Sequence, residues 1–442
     1  MQKPRGRYRW TIAALLFFAT TVNYVDRQVL SFVMTDDFFK KEMLGIPAGT
    51  VLTDDQNADF LKHMSVVDAV FKFTYAVGFL IFGSLIDKIG TKKGYSSGII
   101  MWSLAGIGNA FVGGISGLRF TRGLLGLGES ANFPSAIKTV AEWFPKKERS
   151  FANGIFNAGS NLGVIATALA VPFIIAHYGW RTAFIVTGVL GFLILVAWLI
   201  FYDKPKESKR VSEEELAYIC QDEAEAKPPV KRMPIWKVMR YRQAWVFATG
   251  KFFGDPIWYF YLTWLPTFFN NNDVLDQKLD LKNFGLSFFI IYAISDLGSV
   301  FFGWLSTRFM MRGWSENRAR KATLLICALC VVPIYFASTT NSLYVAIGLI
   351  SLATAAHQGW SANVYAVASN LFPSHMVASV TGFGGTAGSI GGVILGASTG
   401  YIVAALGYSP MFVIASISYL VGLGIIQLLM PTLKPIEAEP AD

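Results

Sequence analysis

Twelve apolar stretches organise this sequence, at 10–34, 64–86, 94–114, 117–140, 151–176, 181–202, 243–269, 284–306, 320–339, 343–371, 379–405 and 409–430. Each is around the ~20 residues that an α-helix needs to cross a bilayer. In hydrocarbon the backbone has no water to bond to, so such a segment must satisfy its N–H and C=O groups internally, as a helix does. The pattern predicts an all-α membrane protein with twelve transmembrane helices. With 53% hydrophobic and 15% charged residues, the chain is too apolar for a soluble protein, which makes the lipid bilayer its first partner.

The stretches fall into two sets of six. From 203 to 242 the composition turns charged and proline-containing, with KPKESKR, an acidic amphipathic piece near 213–225, and KPPVKR. This reads as a cytoplasmic linker (203–242) between a first six-helix bundle (1–202) and a second with a short tail (243–442). An internal repeat supports the division. WFPKKERSFANGIFNAGSNLG around Phe144 lines up with LFPSHMVASVTGFGGTAGSIG around Phe372, and the same offset relates Gly154 to Gly382, Gly179 to Gly407 and Phe184 to Phe412. Parallel six-span repeats are a transporter design, and at this offset Glu129 falls on His357. The glycines Gly384, Gly388, Gly392, Gly396 and Gly400, with Gly154, Gly159 and Gly163 in the matching earlier helix, predict close helix packing. The N-terminus MQKPRGRYRW is basic, but no small-x-small site follows it and the apolar run continues to 34, which argues against a cleaved signal. Most of the 38 Lys and Arg are cytoplasmic when the N-terminus is inside, so the positive-inside rule puts both termini in the cytoplasm. The long polar segment 35–63 is then read as a cap on the outer face.

Charge inside the spans is the second constraint, since a charged side chain at bilayer depth costs about 2.5–3.5 kcal/mol on insertion scales. LRFTRGLLGLGESANFP carries Arg122 and Glu129 on one helix face but roughly 10 Å apart along the axis. Each needs a partner on another helix, or water: either a charge network ties helices together, or a polar cavity lies at mid-membrane. Asn23-Tyr24-Val25-Asp26-Arg27 places a second opposite pair in the first span. Adjacent residues diverge by about 100°, so Asp26 and Arg27 cannot both point at one neighbour. The second span carries Asp68, Lys72, Tyr75 and Phe79 on one stripe, with Asp68 and Lys72 one turn apart and able to neutralise each other. Lys251 and Asp255 repeat that spacing in the seventh span, beside Pro256, Trp258, Tyr259, Tyr261 and Trp264. There the proline removes a backbone donor and predicts a broken helix whose freed groups meet a substrate. The bland alternative is a local ion pair beside an aromatic belt. In the tenth span HQGWSAN, from His357 to Asn363, concentrates hydrogen-bonding groups.

The turn GSLIDKIGTKK at 83–93 resembles the signature G-x-L-x-D-[RK]-x-G-x-[KR]-[KR] between the second and third helices of the major facilitator superfamily, with Gly83, Asp87, Lys88 and Gly90 in register. A positive-inside loop would need only the lysines. The NYVDR run, Arg122 with Glu129, GKFFGDPIWYFYLTWLP from Gly250, and HQGWSAN resemble the anion:cation symporter family over about residues 10–430, and within it the bacterial hexuronate transporters. The resemblance implies a proton-coupled symporter that imports a sugar acid, foremost a hexuronate, by alternating access across a bacterial inner membrane. It implies Asp26 and Glu129 as proton-titrating carboxylates, coupled to the substrate through Arg122 and Arg27, with Tyr75 in the pocket. The substrate-binding candidates are Arg27, Lys72, Tyr75, Asn157, Asn161, Asp255, Trp258, Tyr259, His357, Gln358 and Asn363. The 83–90 turn would act as a gate. Two departures stand out: segment 35–63 is longer than the family leads one to expect, and Thr307 occupies the place of an aspartate in the second-half turn.

The residues agree with such a substrate on physical grounds. A carboxylate calls for Arg or Lys, hydroxyls for Asn, Gln, His and Asp, and an apolar sugar face for Trp or Tyr. An aldonate or other organic anion would satisfy the same groups, and a pocket alone would serve an uncoupled facilitator. Sodium is the weaker driver, because the arginines oppose a bound cation. The four histidines are scattered, which leaves no constellation for an enzyme, and Cys327 with Cys330 lacks the further ligands of a metal site. No cofactor and no nucleic-acid partner is expected; the net charge of +9 is explained by its distribution across the membrane. The chain is expected to act as a monomer.

Overall fold

Each long apolar run is helical in the computed structural model, which describes residues 6–222, 235–271, 275–277, 279, 284–372, 374–434 and 436. In chain order the helices are α1 (Tyr8–Val33), α2 (Asp37–Leu44), α3 (Asp54–Ile89), α4 (Thr91–Gly108), α5 (Ile115–Glu129), α6 (Asn132–Trp143), α7 (Lys146–Tyr178) and α8 (Trp180–Phe201), then α9 (Glu213–Ile219) and α10 (Ile235–Val238), then α11 (Arg242–Asn271), α12 (Phe284–Met311), α13 (Glu316–Val331), α14 (Leu343–Leu371), α15 (Ser374–Leu406) and α16 (Ser409–Leu429). No strand occurs among the described residues. The expected spans correspond to α1, α3, α4, α5 with α6, α7, α8 and α11 to α16. Seven of the described helices are long and apolar enough to cross a membrane on length and composition alone. Among those that fall short are α1, α11 and α14, whose hydropathy is lowered by Asn23, Asp26, Arg27, Lys251, Asp255, His357 and Gln358, the residues on which a polar site would rest.

The chain packs as two compact units, one of residues 1–50 and 70–229, the other of residues 51–69 and 230–442. In the first unit α1 and α7 touch backbone to backbone: a Cβ on Gly163 would lie 2.5 Å from Thr21 O and 2.7 Å from Tyr24 Cβ. Small residues are what allow such contact in lipid, where apolar burial alone gives no preference for a helix over a lipid tail. Asn132 ties three helices together, accepting from Tyr95 Oη at 2.5 Å and donating to Thr20 Oγ1 at 3.2 Å. Of the linker, α9 docks on this unit. Ser212 caps it, accepting from Glu215 N at 3.2 Å. The buried Glu215 carboxylate accepts from Tyr8 N and Arg9 N, both at 3.1 Å, and pairs with Arg9 Nη1 at 3.0 Å, while Arg9 Nε reaches Glu148 at 2.9 Å. Residues 223–234 lie outside the described part.

Segment 35–63, expected as a loop, is largely helical. Asp36 caps α2 by accepting from Phe38 N at 2.8 Å, and Gly45 ends it at φ 68°, a conformation that favours glycine. Phe39 packs edge-on to Trp180 at 5.0 Å, and Glu42 pairs with Arg181. Helix α3 begins ten residues before the apolar run because Thr53 and Gln56 form a capping box, with Thr53 N donating to Gln56 Oε1 at 3.0 Å and Gln56 N to Thr53 Oγ1 at 3.3 Å. Asp54 and Asp55 at its first turn suit the positive end of the helix dipole. Residues 51–69 belong to the second unit, where Leu61 and Ser65 lie against Gly400 of α15.

The break expected at Pro256 does not occur, and α11 runs on through Pro256 and Pro266. Neighbouring helices supply donors to the carbonyls around the proline. Trp360 Nε1 donates to Gly250 O at 2.9 Å, Ser418 Oγ to Phe253 O at 2.7 Å and Tyr419 Oη to Gly254 O at 3.5 Å. Held in this way by α14 and α16, the helix continues past Pro256, whose missing N–H would have bonded Phe252 O.

Candidate substrate and proton sites

In the first unit the adjacent acids and bases of α1 diverge as helical geometry requires. Arg27 turns to α5, where its Nε pairs with Glu129 Oε2 at 2.9 Å; the Glu129 side chain is fully buried and Arg27 is 11% exposed. The guanidinium lies over the rings of Tyr24 and Tyr75, each 4.6 Å from the centroid, and over Phe71 at 5.5 Å. Arg122 donates to the backbone carbonyl of Arg27 at 3.2 Å and also lies over the Phe71 ring, 4.8 Å from its centroid. Arg27, Arg122, Glu129 and Tyr75, assigned from scattered stretches of sequence, thus form one cluster. Arg27 bridges Arg122 and Glu129, pairing with Glu129 through its side chain and accepting from Arg122 at its backbone carbonyl.

Asp26 lies against α4 and α8 and within electrostatic reach of Glu129 and Arg122. A Cβ on Gly106 would lie 3.5 Å from its Oδ1, and the neighbouring Thr187 hydroxyl donates to Phe184 O at 3.3 Å. Among the described residues neither Asp26 oxygen has a hydrogen-bond partner at good geometry, and the same holds for both amide atoms of the buried Asn23, one turn earlier. Lys72 is buried on α3, three residues before Tyr75. On α7, Asn157 is exposed and Asn161 half-buried.

The 83–93 turn joins α3 to α4 at Gly90, whose φ of 86° is a conformation that L side chains rarely adopt. Gly83 has open space around its Cα and Lys88 is exposed, while the Asp87 side chain lies outside the described part. The turn is pinned by Lys138, which donates to Ile86 O at 2.9 Å, and by Lys92, which pairs with Asp203 at 2.8 Å.

In the second unit Lys251 and Asp255 pair at 2.8 Å, one helical turn apart. Lys251 also donates to Tyr365 Oη at 3.2 Å and sits 4.6 Å from that ring's centroid. Trp258 and His357 stack at 4.9 Å with planes 6° apart, and His357 Nδ1 meets Tyr419 Oη at 2.7 Å. Tyr259 and Gln358 are half-buried beside them in sequence. Asn363 is directed elsewhere: its amide donates to Gly359 O at 2.9 Å and Phe302 O at 3.4 Å, and its oxygen accepts from Arg320 at 3.3 Å. Those bonds tie α14 to α12 and α13. Tyr365 and Tyr419, which complete the constellation, carry no motif and stand in ordinary apolar helix.

This chain is 28% identical over 441 residues to the hexuronate transporter of Escherichia coli K12, covering 99% of this chain and 97% of that protein. It is 27% identical over 424 residues to the "probable galactarate/D-glucarate transporter" of the same strain, covering 92% of this chain and 90% of that one. Its fold is similar to that of a bacterial homologue of the human lysosomal transporter Spinster, solved in an inward-facing, occupied conformation, with a TM-score of 0.72 at 16% identity over all of both chains. The sequence profile of the Major Facilitator Superfamily matches residues 16–396. The all-helical fold of the described residues, the signature turn and this profile agree: the chain is a membrane transporter, not an enzyme, and belongs to the Major Facilitator Superfamily.

Proposed function

We propose that this protein is a proton-coupled symporter of the bacterial inner membrane, with both termini cytoplasmic, that imports a hexuronate as a monomer by alternating access. The observation that carries the reading is the Arg27–Glu129 pair, closed at 2.9 Å inside a ring of aromatic side chains with Arg122 on its flank. Such a pair can be in only one of two useful states. With Glu129 ionised, Arg27 is held; with a proton on Glu129, the attraction falls and Arg27 is free to take a substrate carboxylate. Proton and anion therefore favour each other's binding, which is the condition for symport. Asp26, a second carboxylate within the first span, is the other candidate for a proton. Trp258, His357 and the neighbouring polar groups of the second unit offer an apolar face and hydrogen bonds to a sugar ring. Similarity to a hexuronate transporter over nearly the whole chain supports the substrate class.

Purified protein in liposomes tests this. An inward proton gradient is expected to drive labelled galacturonate or glucuronate above its external concentration, and a protonophore to abolish the excess. Equilibration without accumulation under the same gradient would replace symport with facilitated diffusion.

A further inference from the structure

Sugar acids come with one carboxylate or with both chain ends oxidised, and similarity to transporters of each kind leaves open which this chain admits. The charge inventory of the second unit addresses the question. Among the described residues, Lys251 is the lysine or arginine well inside a span of this unit. Arg320 and Lys321, in the first turns of α13, are engaged elsewhere. Arg320 bonds Ser306 and Asn363, and Lys321 bonds Gln427 and the carbonyls of Met430 and Pro431. Asp296, on α12, adds a further carboxylate rather than a cation, and His357 is engaged by Tyr419 and stacked on Trp258.

Lys251 itself is already answered. Its Nζ lies 2.8 Å from Asp255 Oδ1, with the two side chains 8% and 16% exposed, and it donates as well to Tyr365 Oη at 3.2 Å. The Asp255 carboxyl lies against α15 at Gly388, where an added Cβ would come 3.0 Å from its Cγ. A larger residue at 388 could not be accommodated with Asp255 in this position. We infer that Asp255 is a built-in substitute for a second substrate carboxylate: it occupies the anion position on Lys251 and so restricts the protein to sugar acids with one carboxylate. The inference rests on the reading that a sugar acid is carried and that Lys251 and its neighbours on α11 meet it. A dicarboxylate would bring a second charge to groups whose cation is neutralised, and an ion stripped of water without a partner is strongly disfavoured. An aldehyde or hydroxyl at the same end carries no such penalty. Removing only the Asp255 charge would leave Lys251, still oriented by Tyr365, as an open carboxylate subsite.

Competition against labelled galacturonate uptake tests this first in the unaltered protein, with galactarate as the dicarboxylate of the same carbon skeleton. Galactarate is expected to compete at least roughly tenfold less well than unlabelled galacturonate, the discrimination that one unmatched buried charge readily produces. Asp255→Asn should shift the ratio toward galactarate by about tenfold or more, and Lys251→Gln added to it should reverse the shift. Equal competition in the unaltered protein overturns the inference whatever the variants do. So does an Asp255→Asn protein that melts as a folded species yet keeps the original ratio, or a shift that survives the loss of Lys251. Failure of the unaltered protein to take up or bind either acid overturns instead the reading on which the inference rests.

Discussion

Glu129→Gln separates the proton from the substrate with the least change of shape. Arg27 Nε meets Glu129 Oε2 at 2.9 Å with the glutamate fully buried, and removing one charge from such a pair costs about 3–5 kcal/mol when nothing replaces it. Here the amide oxygen keeps an acceptor in place, and the rings of Tyr24 and Tyr75, each 4.6 Å from the guanidinium, continue to stabilise the cation. Each ring contributes about 0.5–2 kcal/mol, so the loss of stability should lie at or below the lower end of that range. For the substrate the sign is reversed. Its carboxylate competes with Glu129 for Arg27, and exchanging the ion pair, at the top of the about 1.5–3 kcal/mol range for bonds to charged groups, for a bond from the still charged Arg27 to an amide oxygen at the bottom of that range weakens the competitor by roughly 1–1.5 kcal/mol. The variant is therefore expected to bind galacturonate about tenfold more tightly, at the rate of one decade per 1.4 kcal/mol. It should exchange internal for external sugar while failing to concentrate it. Equilibrium binding in detergent, counterflow, and gradient-driven uptake in liposomes measure the three properties. Accumulation equal to that of the unaltered protein, or binding weakened rather than strengthened, would refute the argument that Glu129 holds Arg27 against the substrate.

Three further outcomes follow from other parts of the structure. Arg27→Ala should weaken binding of the acid by about 1.5–3 kcal/mol, and an unchanged dissociation constant would move the carboxylate to Arg122 or Lys72. Gln358→Ala, if its half-buried amide reads a sugar hydroxyl, should change the uptake ratio of glucuronate to galacturonate by roughly tenfold without abolishing gradient-driven accumulation; an unchanged ratio would place the hydroxyl reader elsewhere. Asp36, outside the spans, has its carboxyl pushed above the usual range chiefly by burial, against the lowering effect of the Phe38 and Phe39 amides. A raised acid pKa means that ionisation penalises the fold, so Asp36→Asn should raise the melting temperature slightly at neutral pH. That gain should fade as pH falls through the raised pKa and be gone below the ordinary aspartate range, and a gain independent of pH would show that charge is not its cause.

Hydropathy found the spans because a bilayer accepts little but helix, and glycine spacing marked α7 for close packing because only small residues permit it, without naming α1 as the partner. The Arg27–Glu129 pairing was half legible. Two helical turns between Arg122 and Glu129 called for a partner on another helix, but the spacing did not say which helix would bring it. The early start of α3 was written in Thr53-x-x-Gln56, a local signal masked by the polarity of the residues around it. The persistence of α11 through Pro256 was not legible at all, since its supports, Trp360, Ser418 and Tyr419, lie more than a hundred residues away along the chain. Asn363 illustrates the same limit: a polar residue beside His357 in sequence still faces different helices, because five or six positions along a helix carry a side chain well round its circumference.

Coupling is the claim on which the rest depends, and proton movement caused by the sugar reports it directly. Liposomes containing the protein and a trapped pH-sensitive dye, with equal pH inside and out, receive galacturonate outside. Symport predicts that the interior acidifies as labelled sugar enters, and that Glu129→Gln liposomes exchange sugar with no pH change. Sugar entry into liposomes of the unaltered protein with the internal pH constant would contradict the account.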